Sequence, residues 1–403
     1  MLHDIANKKL NILIAHNYYQ ISGGEDSVVR NEMNLLKKRG HVVYLYTRNN
    51  SEINDMKGIK KILLPLITIF NPRTYREIRK KIIENNIDIV HVHNTLFFIS
   101  PSIYYAAKSL KIPVVQTVHN FRLLCPGATF YREGRICEEC VSKGLFHAVK
   151  NKCYRNSFVQ TFICSLSGII HRKFGIYKDI NYICLTEFNK EKLLNYKQIS
   201  PQNVYIKPNF IEKTEGVSLV KEREHQYVFA GRIDETKGIK ILLNAWNMLK
   251  QKNVLPKLII CGTGPLEKWC KDFIKKHKLY NVTLLGFIEN QEVKKIISRS
   301  KGLILPTQWY EGFPVSIIEA LSVGTPVIGA KIGNTGSIIL DNVTGKKFDS
   351  YNPEELCNVI SELELEYKFN YYTIQEVFNS TYSDEKNYEI LMSIYQDVME
   401  KNR

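Results

Sequence analysis

The sequence predicts an α/β protein of two doubly wound domains in tandem. Three observations predict it. The chain has 403 residues, too many for one ordinary hydrophobic core. Short apolar runs of the kind buried parallel strands need alternate with stretches of helical periodicity. That alternation starts afresh after KPNF (207–210).

In the first half, LNILIAH (10–16) is a continuous apolar run and reads as a buried strand. The loop NYYQISGGED follows, and a helical pattern over 26–39 stops at Gly40. VVYLYT (42–47), IDIVHVHN (87–94) and IPVVQTVHN (112–120) are further strands, with a helix through YYAAKSL between the last two. In the second half HQYVFAGRI is a strand, GIKILLNAWNMLK a helix and PKLIICGTG a strand; NVTLLGFI, KGLILPT and TPVIGAK are three more. DEKNYEILMSIYQDVMEKN (384–402) carries apolar residues at helix spacing. The expected divisions are 1–206, 207–383 and a helical tail, 384–403, that packs back toward the first domain. Both sheets are Rossmann-like, and such sheets bind ligands at the carboxyl ends of their strands, so a cleft between those edges is the expected site.

A hydrophobic content of 44% excludes a disordered chain. No stretch approaches the roughly 18 apolar residues of a membrane span, and MLHDIANKKLNILIAHN reaches its first strand without a secretory pattern. A cytoplasmic protein is expected, its nine cysteines thiols or metal ligands before disulfides. Residues 1–200 hold 30 of the 56 Lys+Arg and 15 of the 40 Asp+Glu, so nearly all of the net charge of +16 sits in the first half. Such a surplus implies an acidic partner (nucleic acid, an anionic membrane or a phosphorylated acceptor) or else a solvated lysine-rich face. A nucleic-acid binder is disfavoured, because the basic half reads as a buried parallel sheet without a recognition-helix signature.

The chemistry concentrates in WYEGFPVSIIEALSVGTPVIG (309–329). Glu311 lies in a Gly/Pro-rich turn and Glu319 in the helix that follows. Ser316 and Glu319 also fit a capping box, in which Glu319 would serve only the helix start. That reading leaves Glu311 and the upstream loop AGRIDETKGIK (230–240) unexplained. There Arg232 and Lys237 flank a strand-to-helix turn, a place for a diphosphate. CGTGP (261–265) adds Gly262 and Gly264 after another strand, a weak signal alone because a dinucleotide fingerprint has a third glycine.

Glu311 to Glu319 preceded by GRIDETKG, CGTGP and LLGF (284–287) resembles the donor half of family 4 retaining glycosyltransferases. SGGEDSVVRNE (22–32), VHVHN (90–94) and VVQTVHNFRLLCPG (114–127) extend the resemblance over essentially the whole chain, toward bacterial surface-polysaccharide enzymes. The resemblance implies the GT-B fold, two Rossmann-like domains of which the second binds a nucleotide-diphosphate sugar. It places Glu319 on the ribose hydroxyls, Glu311 near the transferred carbon, and Gly312 and Phe313 beside sugar and diphosphate. Arg232 and Lys237 then stabilise the departing diphosphate, and Phe287 edges the base. Gly23 and Gly24 let the first loop approach the phosphates, and His119 faces the donor sugar. Glu25 reads as a helix-start residue, and His93 has a better claim than His91 on the acceptor side. The chain departs from the family where Ser337 stands in place of a common glutamate.

The implied activity is retaining transfer from a UDP- or GDP-sugar to a glycan, lipid-linked in O-antigen or capsule assembly, at the inner face of the cytoplasmic membrane. No Asp-x-Asp pair occurs, so no catalytic metal and no required cofactor is expected. Cys125, Cys137, Cys140 and Cys153 could hold a structural zinc or stand as thiols, and the spacing leaves both open. SFVQTFICSLSGIIHRKFG (157–175) and NPRTYREIRKKI (71–82) form either a basic membrane-facing surface or a core helix with solvated ends. The rival enzyme is a GT-B UDP-sugar epimerase, which the paired glutamates with GRxxxxKG disfavour. A catalytically silent relative is disfavoured by the same intact residues.

Overall fold

The computed structural model describes residues 8–20, 23–58, 63–212 and 223–402. Ser22 of the first glycine loop, part of the expected domain junction and the chain's first seven residues lie outside them. The chain divides into two compact units. The first runs through Phe130, then Glu138–Asn209, and takes in the chain from Asp384 on; the second is Tyr131–Cys137 with Phe210–Ser383.

The first unit is built on β1 (Asn11–Tyr18), β2 (Val42–Asn49), β3 (Ile89–Asn94) and β4 (Val114–Val118). A two-stranded hairpin, β5 (Tyr131–Arg132) and β6 (Arg135–Ile136), clusters with the second unit instead. β7 (Asn181–Cys184) and β8 (Val204–Ile206) complete the first sheet, in the order β2-β1-β3-β4-β7-β8. Every pairing in it is parallel. The order turns back at β1, so the switch point where ligands bind lies between β1 and β3. The run IVHVHN is buried at all six positions, as a strand covered on both faces must be.

The C-terminal helix Asp384–Lys401 belongs to this unit. Leu391, Ile394, Tyr395 and Val398 recur at helix spacing and join Ile12, Ile14, Ile89 and Val115 in one buried cluster. Each such side chain contributes on the order of 1.5–3 kcal/mol by leaving water.

The second unit holds β9 (Glu224–Ala230), β10 (Lys257–Cys261), β11 (Val282–Gly286), β12 (Ser300–Leu305), β13 (Val327–Ala330) and β14 (Gly345–Phe348). Its order, β11-β10-β9-β12-β13-β14, is that of the dinucleotide-binding sheets, with the switch point between β9 and β12. The loops leaving those two strands are AGRIDETKG and PTQWYEGFP. Both motif loops therefore emerge where such a sheet places its ligand.

Candidate active site

In the second unit the β9 loop is closed by Asp234, whose Oδ1 accepts from Thr236 Oγ1 (2.8 Å) and from the Lys237 N–H (3.1 Å). The Gln308 N–H and Thr307 Oγ1 both donate to the Thr236 carbonyl, at 2.8 and 3.1 Å, tying the β9 loop to the β12 loop. Gly238 follows at φ +71°, and a Cβ there would stand 1.7 Å from the Pro306 carbonyl oxygen. Only glycine lets the two loops meet this closely. Gly262 and Gly264 have the same explanation: added Cβ atoms would lie 1.9 Å from the Gly231 oxygen and 2.3 Å from the Ile233 oxygen. Packing between loops accounts for both glycines before any ligand is invoked.

The tied loops present an acid–base pair. Lys237 Nζ donates to Glu311 Oε1 at 2.7 Å, and Thr307 Oγ1 lies 3.0 Å from the same oxygen, its one hydrogen shared between that carboxylate and the Thr236 carbonyl. Glu311 is buried, and its peptide is clamped by Asn334, whose Nδ2 donates to the Glu311 carbonyl (2.7 Å) and the Gly312 carbonyl (2.5 Å). Phe313 packs against the core with its ring 6.3 Å from Tyr382. Arg232 stays largely in solvent, its Nε 3.3 Å from Asp234 Oδ2.

Glu319 does not cap its helix. The helix Val315–Ser322 begins after Pro314, which places Ser316 inside the first turn, and no side chain caps it. Glu319 Oε1 instead accepts from Asn290 Nδ2 at 3.0 Å, with Lys294 Nζ 3.9 Å away. Asn290 opens the helix after β11, so this bond brings Glu319 beside the segment that carries Phe287, an aromatic ring left 75% exposed. Tyr131 of the hairpin lies with its ring 6.5 Å from Trp309.

In the first unit Gly23 adopts an ordinary extended backbone, and a Cβ at Gly23 or Gly24 would meet no protein atom within 4 Å. Nothing in the fold demands glycine there. His119 directly follows β4 and lines a cavity of about 100 Å³ with His93, Tyr104 and Gln116. His93 Nδ1 and His119 Nε2 are 2.9 Å apart. Burial, then the neighbouring His93, holds His119 well below the usual histidine range.

The sequence reading missed what surrounds Glu25. The helix Gly24–Lys38 carries Glu25 and Asp26 in its first turn. Asp26 Oδ1 is 2.8 Å from His16 Nε2. Burial pushes the Glu25 carboxyl up to about 8, although Tyr19 donates a hydrogen bond to its Oε2. A first-turn glutamate is ordinary in sequence; its burial, opposed by the Tyr19 hydrogen bond and aided by the neighbouring Asp26 charge, is a tertiary effect that raises its carboxyl. Asn290, Thr307 and Asn334 were missed as well, because their roles depend on tertiary contacts.

Of the four loop cysteines, Cys140 and Cys153 share a small cluster with Leu145 and Ala148. A Cβ on Gly127, two residues beyond Cys125, would lie 3.4 Å from the Cys153 Cβ. Cys125, Cys140 and Cys153 belong to the first unit and Cys137 to the second. On the surface of the first unit, the helix Phe158–Lys173 exposes Phe158, Val159 and Phe162. The same helix buries Thr161, Cys164, Ser165, Ser167 and His171, so one face packs inward while its first turns present apolar side chains to solvent. Its His171 Nε2 contacts the Ile69 carbonyl at 2.8 Å, fixing it to the helix Leu64–Ile69, where Leu66 is also exposed. Among the described residues no helix is long and apolar enough to cross a membrane.

Comparison with known proteins agrees with this geometry. Residues 22–164 match the family model described as Glycosyltransferase Family 4, and residues 210–378 the one described as Glycosyl transferases group 1. A glycosyltransferase of Methanocaldococcus jannaschii is 25% identical over 365 residues, covering 88% of each chain. A 42.6 kDa protein in the cps region of Klebsiella pneumoniae is 23% identical over 364 residues, covering 83% of this chain and 89% of its own. Among solved structures, Anabaena HepE in complex with UDP superposes with a TM-score of 0.64 at 14% identity, covering 97% and 99% of the two chains.

Proposed function

The chain belongs to the family 4 glycosyltransferases with a group 1 donor domain, and from that premise we propose that it is a retaining transferase using a UDP- or GDP-sugar. The observation that carries the proposal is the Lys237–Glu311–Thr307 cluster at the β9/β12 switch point. A nucleotide diphosphate laid on that edge meets the Lys237 ammonium, the Arg232 guanidinium and the N–H groups of the tied loops, which stabilise the charge that develops on the leaving group. Glu319 and its partner Asn290 suit a cis-diol, since a carboxylate accepts two hydroxyl hydrogen bonds at once. The exposed Phe287 ring nearby offers the base an apolar edge. The UDP in the Anabaena neighbour supports a nucleotide diphosphate as the group held.

In the proposed reaction the bond from the anomeric carbon to the diphosphate oxygen breaks as the acceptor hydroxyl oxygen bonds to the same face. The hydroxyl proton passes to the departing phosphate oxygen. No side-chain nucleophile and no metal ion is assigned a step. We further propose that the acceptor is a lipid-linked glycan of bacterial surface-polysaccharide assembly, in keeping with the Klebsiella relative from a cps region. Exposed Phe158, Val159 and Phe162, flanked by Lys150, Lys152, Arg155 and Lys173, suit an anionic membrane surface.

Calorimetric titration with UDP, GDP and ADP, without added metal, tests the core of this. Binding of UDP or GDP in clear preference to ADP is expected. Binding of none of them overturns the donor site and leaves only the fold.

A further inference from the structure

Beneath the cavity that His119 lines runs a chain of buried polar groups that the proposed reaction does not use. Glu32, from the helix after the glycine loop, has no exposed surface. Its Oε2 accepts from Lys207 Nζ at 2.8 Å, and Lys207, itself buried, also donates to Asn387 Oδ1 at 3.1 Å. Glu32 Oε1 faces His91 Nδ1 at 3.0 Å and His93 Nε2 at 3.3 Å. The His93 contact lacks hydrogen-bond alignment, yet neither atom has another hydrogen-bond partner. Next in line, His93 Nδ1 meets His119 Nε2 at 2.9 Å, with the two rings stacked.

The ligand atoms of Glu32, His91 and His93 lie within 4.8 Å of one another, a spacing a metal ion could use. Lys207 already supplies the positive charge at that carboxylate. His91 is further engaged by Tyr395 OH at 2.6 Å and Thr117 Oγ1 at 2.7 Å. The cluster therefore reads as a polar relay, electrostatic at the Glu32–His93 step and hydrogen-bonded from His93 to His119.

Its polarity follows from one end. Burial alone would raise the Glu32 carboxyl, but the Lys207 ammonium, then His91 and His93, hold it well below the usual range. An ionised carboxylate only accepts. His93 is neutral near physiological pH, because burial, then the adjacent His91, pushes it down to about 4. A neutral imidazole carries one N–H, and the carboxylate charge 3.3 Å away favours it on the nitrogen that faces it, Nε2. His93 Nδ1 is then bare and accepts from His119 Nε2–H. His119 keeps its other nitrogen, Nδ1, bare.

We propose that Glu32 is a positioning residue that fixes, through His93, the tautomer of His119, so that His119 accepts a hydrogen bond from a hydroxyl of the sugar substrate and does not donate one. The identity of that hydroxyl donor rests on the glycosyltransferase reading; the tautomer does not.

The test is long-range ¹H–¹⁵N correlation on the full chain with ¹⁵N-labelled histidine. The wild-type spectrum is expected to show His93 and His119 each protonated at Nε2 alone. In Glu32→Gln the Lys207 ammonium takes the amide oxygen, so the amide N–H turns toward His93. Both rings should then invert to Nδ1–H, and kcat should fall with little change in nucleotide affinity. His93→Phe leaves the Glu32–Lys207 pair intact and covers the case in which the Glu32→Gln variant does not fold. It should replace the single His119 tautomer by a mixture. A wild-type His119 protonated at Nδ1, or one unmoved by either variant, overturns the proposal. Failure of nucleotide binding with the expected tautomers would instead sink the transferase reading and leave the relay standing.

Discussion

Lys237 and Glu311, 74 positions apart in sequence, form a 2.7 Å ion pair across the two loops of the second unit's switch point. Each is the other's counter-charge while no diphosphate is present. A diphosphate arriving at Lys237 competes with a buried carboxylate for the same ammonium. Lys237→Ala is therefore expected to do two things. It removes a charged hydrogen bond on the order of 1.5–3 kcal/mol, and it leaves the buried Glu311 carboxylate without its counter-charge. Nucleotide affinity and kcat should both fall, and Lys237→Arg should recover part of each. Calorimetry and steady-state rates on the two variants check this; an alanine variant with normal turnover would show that the pair is only structural.

The two motif glutamates should separate in kinetics. Glu319 is hydrogen-bonded by Asn290 beside the expected base edge, while Glu311 is held by Lys237 and Thr307. Glu319→Ala should weaken nucleotide binding by roughly 1.5–3 kcal/mol and leave turnover at saturation less affected. Glu311→Ala should bind nucleotide nearly normally and turn over slowly. Equal losses of affinity and turnover in both variants would contradict the division of labour.

Glycine chemistry gives a prediction on stability. At Gly238 the added Cβ meets the Pro306 oxygen at 1.7 Å on a left-handed backbone, whereas at Gly23 it meets open space on an extended one. Gly238→Ala should cost at least the roughly 1–3 kcal/mol of a strained backbone residue. Gly23→Ala should shift stability by no more than about 0.5 kcal/mol, so any loss of nucleotide binding there reports contact with a ligand. Urea unfolding of both variants decides it.

These contrasts show what the sequence could carry. Most strands were legible because a parallel strand covered on both faces must be a continuous apolar run, and IVHVHN and NILIAH are such runs; β7, β8 and β14, three or four residues each, and the hairpin were too short to stand out. The paired motif loops were legible because Gly, Pro and charged residues cluster there at fixed spacing. His91 and His93 could be placed on one face of β3 from their spacing alone. That His119 reaches them depends on the β3–β4 register, Val92 opposite Gln116, which only pairing sets. The order of the first sheet and the transfer of the Tyr131–Ile136 hairpin to the second unit were likewise beyond local pattern, since both are decided by which surfaces meet.

The apolar patch of the first unit should act only on charged membranes. Phe158, Val159 and Phe162 offer area to insert, and the lysines and arginines around them supply attraction on the order of 1 kcal/mol each near an anionic surface. Sedimentation with vesicles of phosphatidylglycerol should carry the protein down, and vesicles of phosphatidylcholine should not. The double variant Phe158→Glu, Phe162→Glu should remain in the supernatant with both. Equal sedimentation of wild type and variant would remove this helix from the interface.

Glu25 supplies a pH dependence whose sign is fixed. Its carboxyl titrates at about 8 in the folded chain against 4.5 for the ordinary group. Below about pH 4.5 it is protonated folded or unfolded and has no effect. Between pH 4.5 and about 8 the unfolded chain gives up the proton while the folded chain keeps it. Stability is thus lost as pH rises through that window, at no more than about 1.4 kcal/mol per pH unit, and the loss levels off above it. Glu25→Gln cannot ionise and keeps the shape of the neutral acid. The variant should match the wild type near pH 4.5 and exceed it increasingly toward pH 8. His16, His93 and His119, all shifted downward by burial, titrate in both proteins and largely cancel in the difference. Tyr19, which donates to Glu25 Oε2 and is held above the usual tyrosine range by burial and then by Glu25, titrates above this window with or without the substitution, while His16 Nδ1 lies 3.8 Å from Glu25 Oε1. Parallel stability profiles from urea unfolding between pH 5 and 9 would show that Glu25 is ionised in the folded chain, and the closed contact with Tyr19 would then need another explanation.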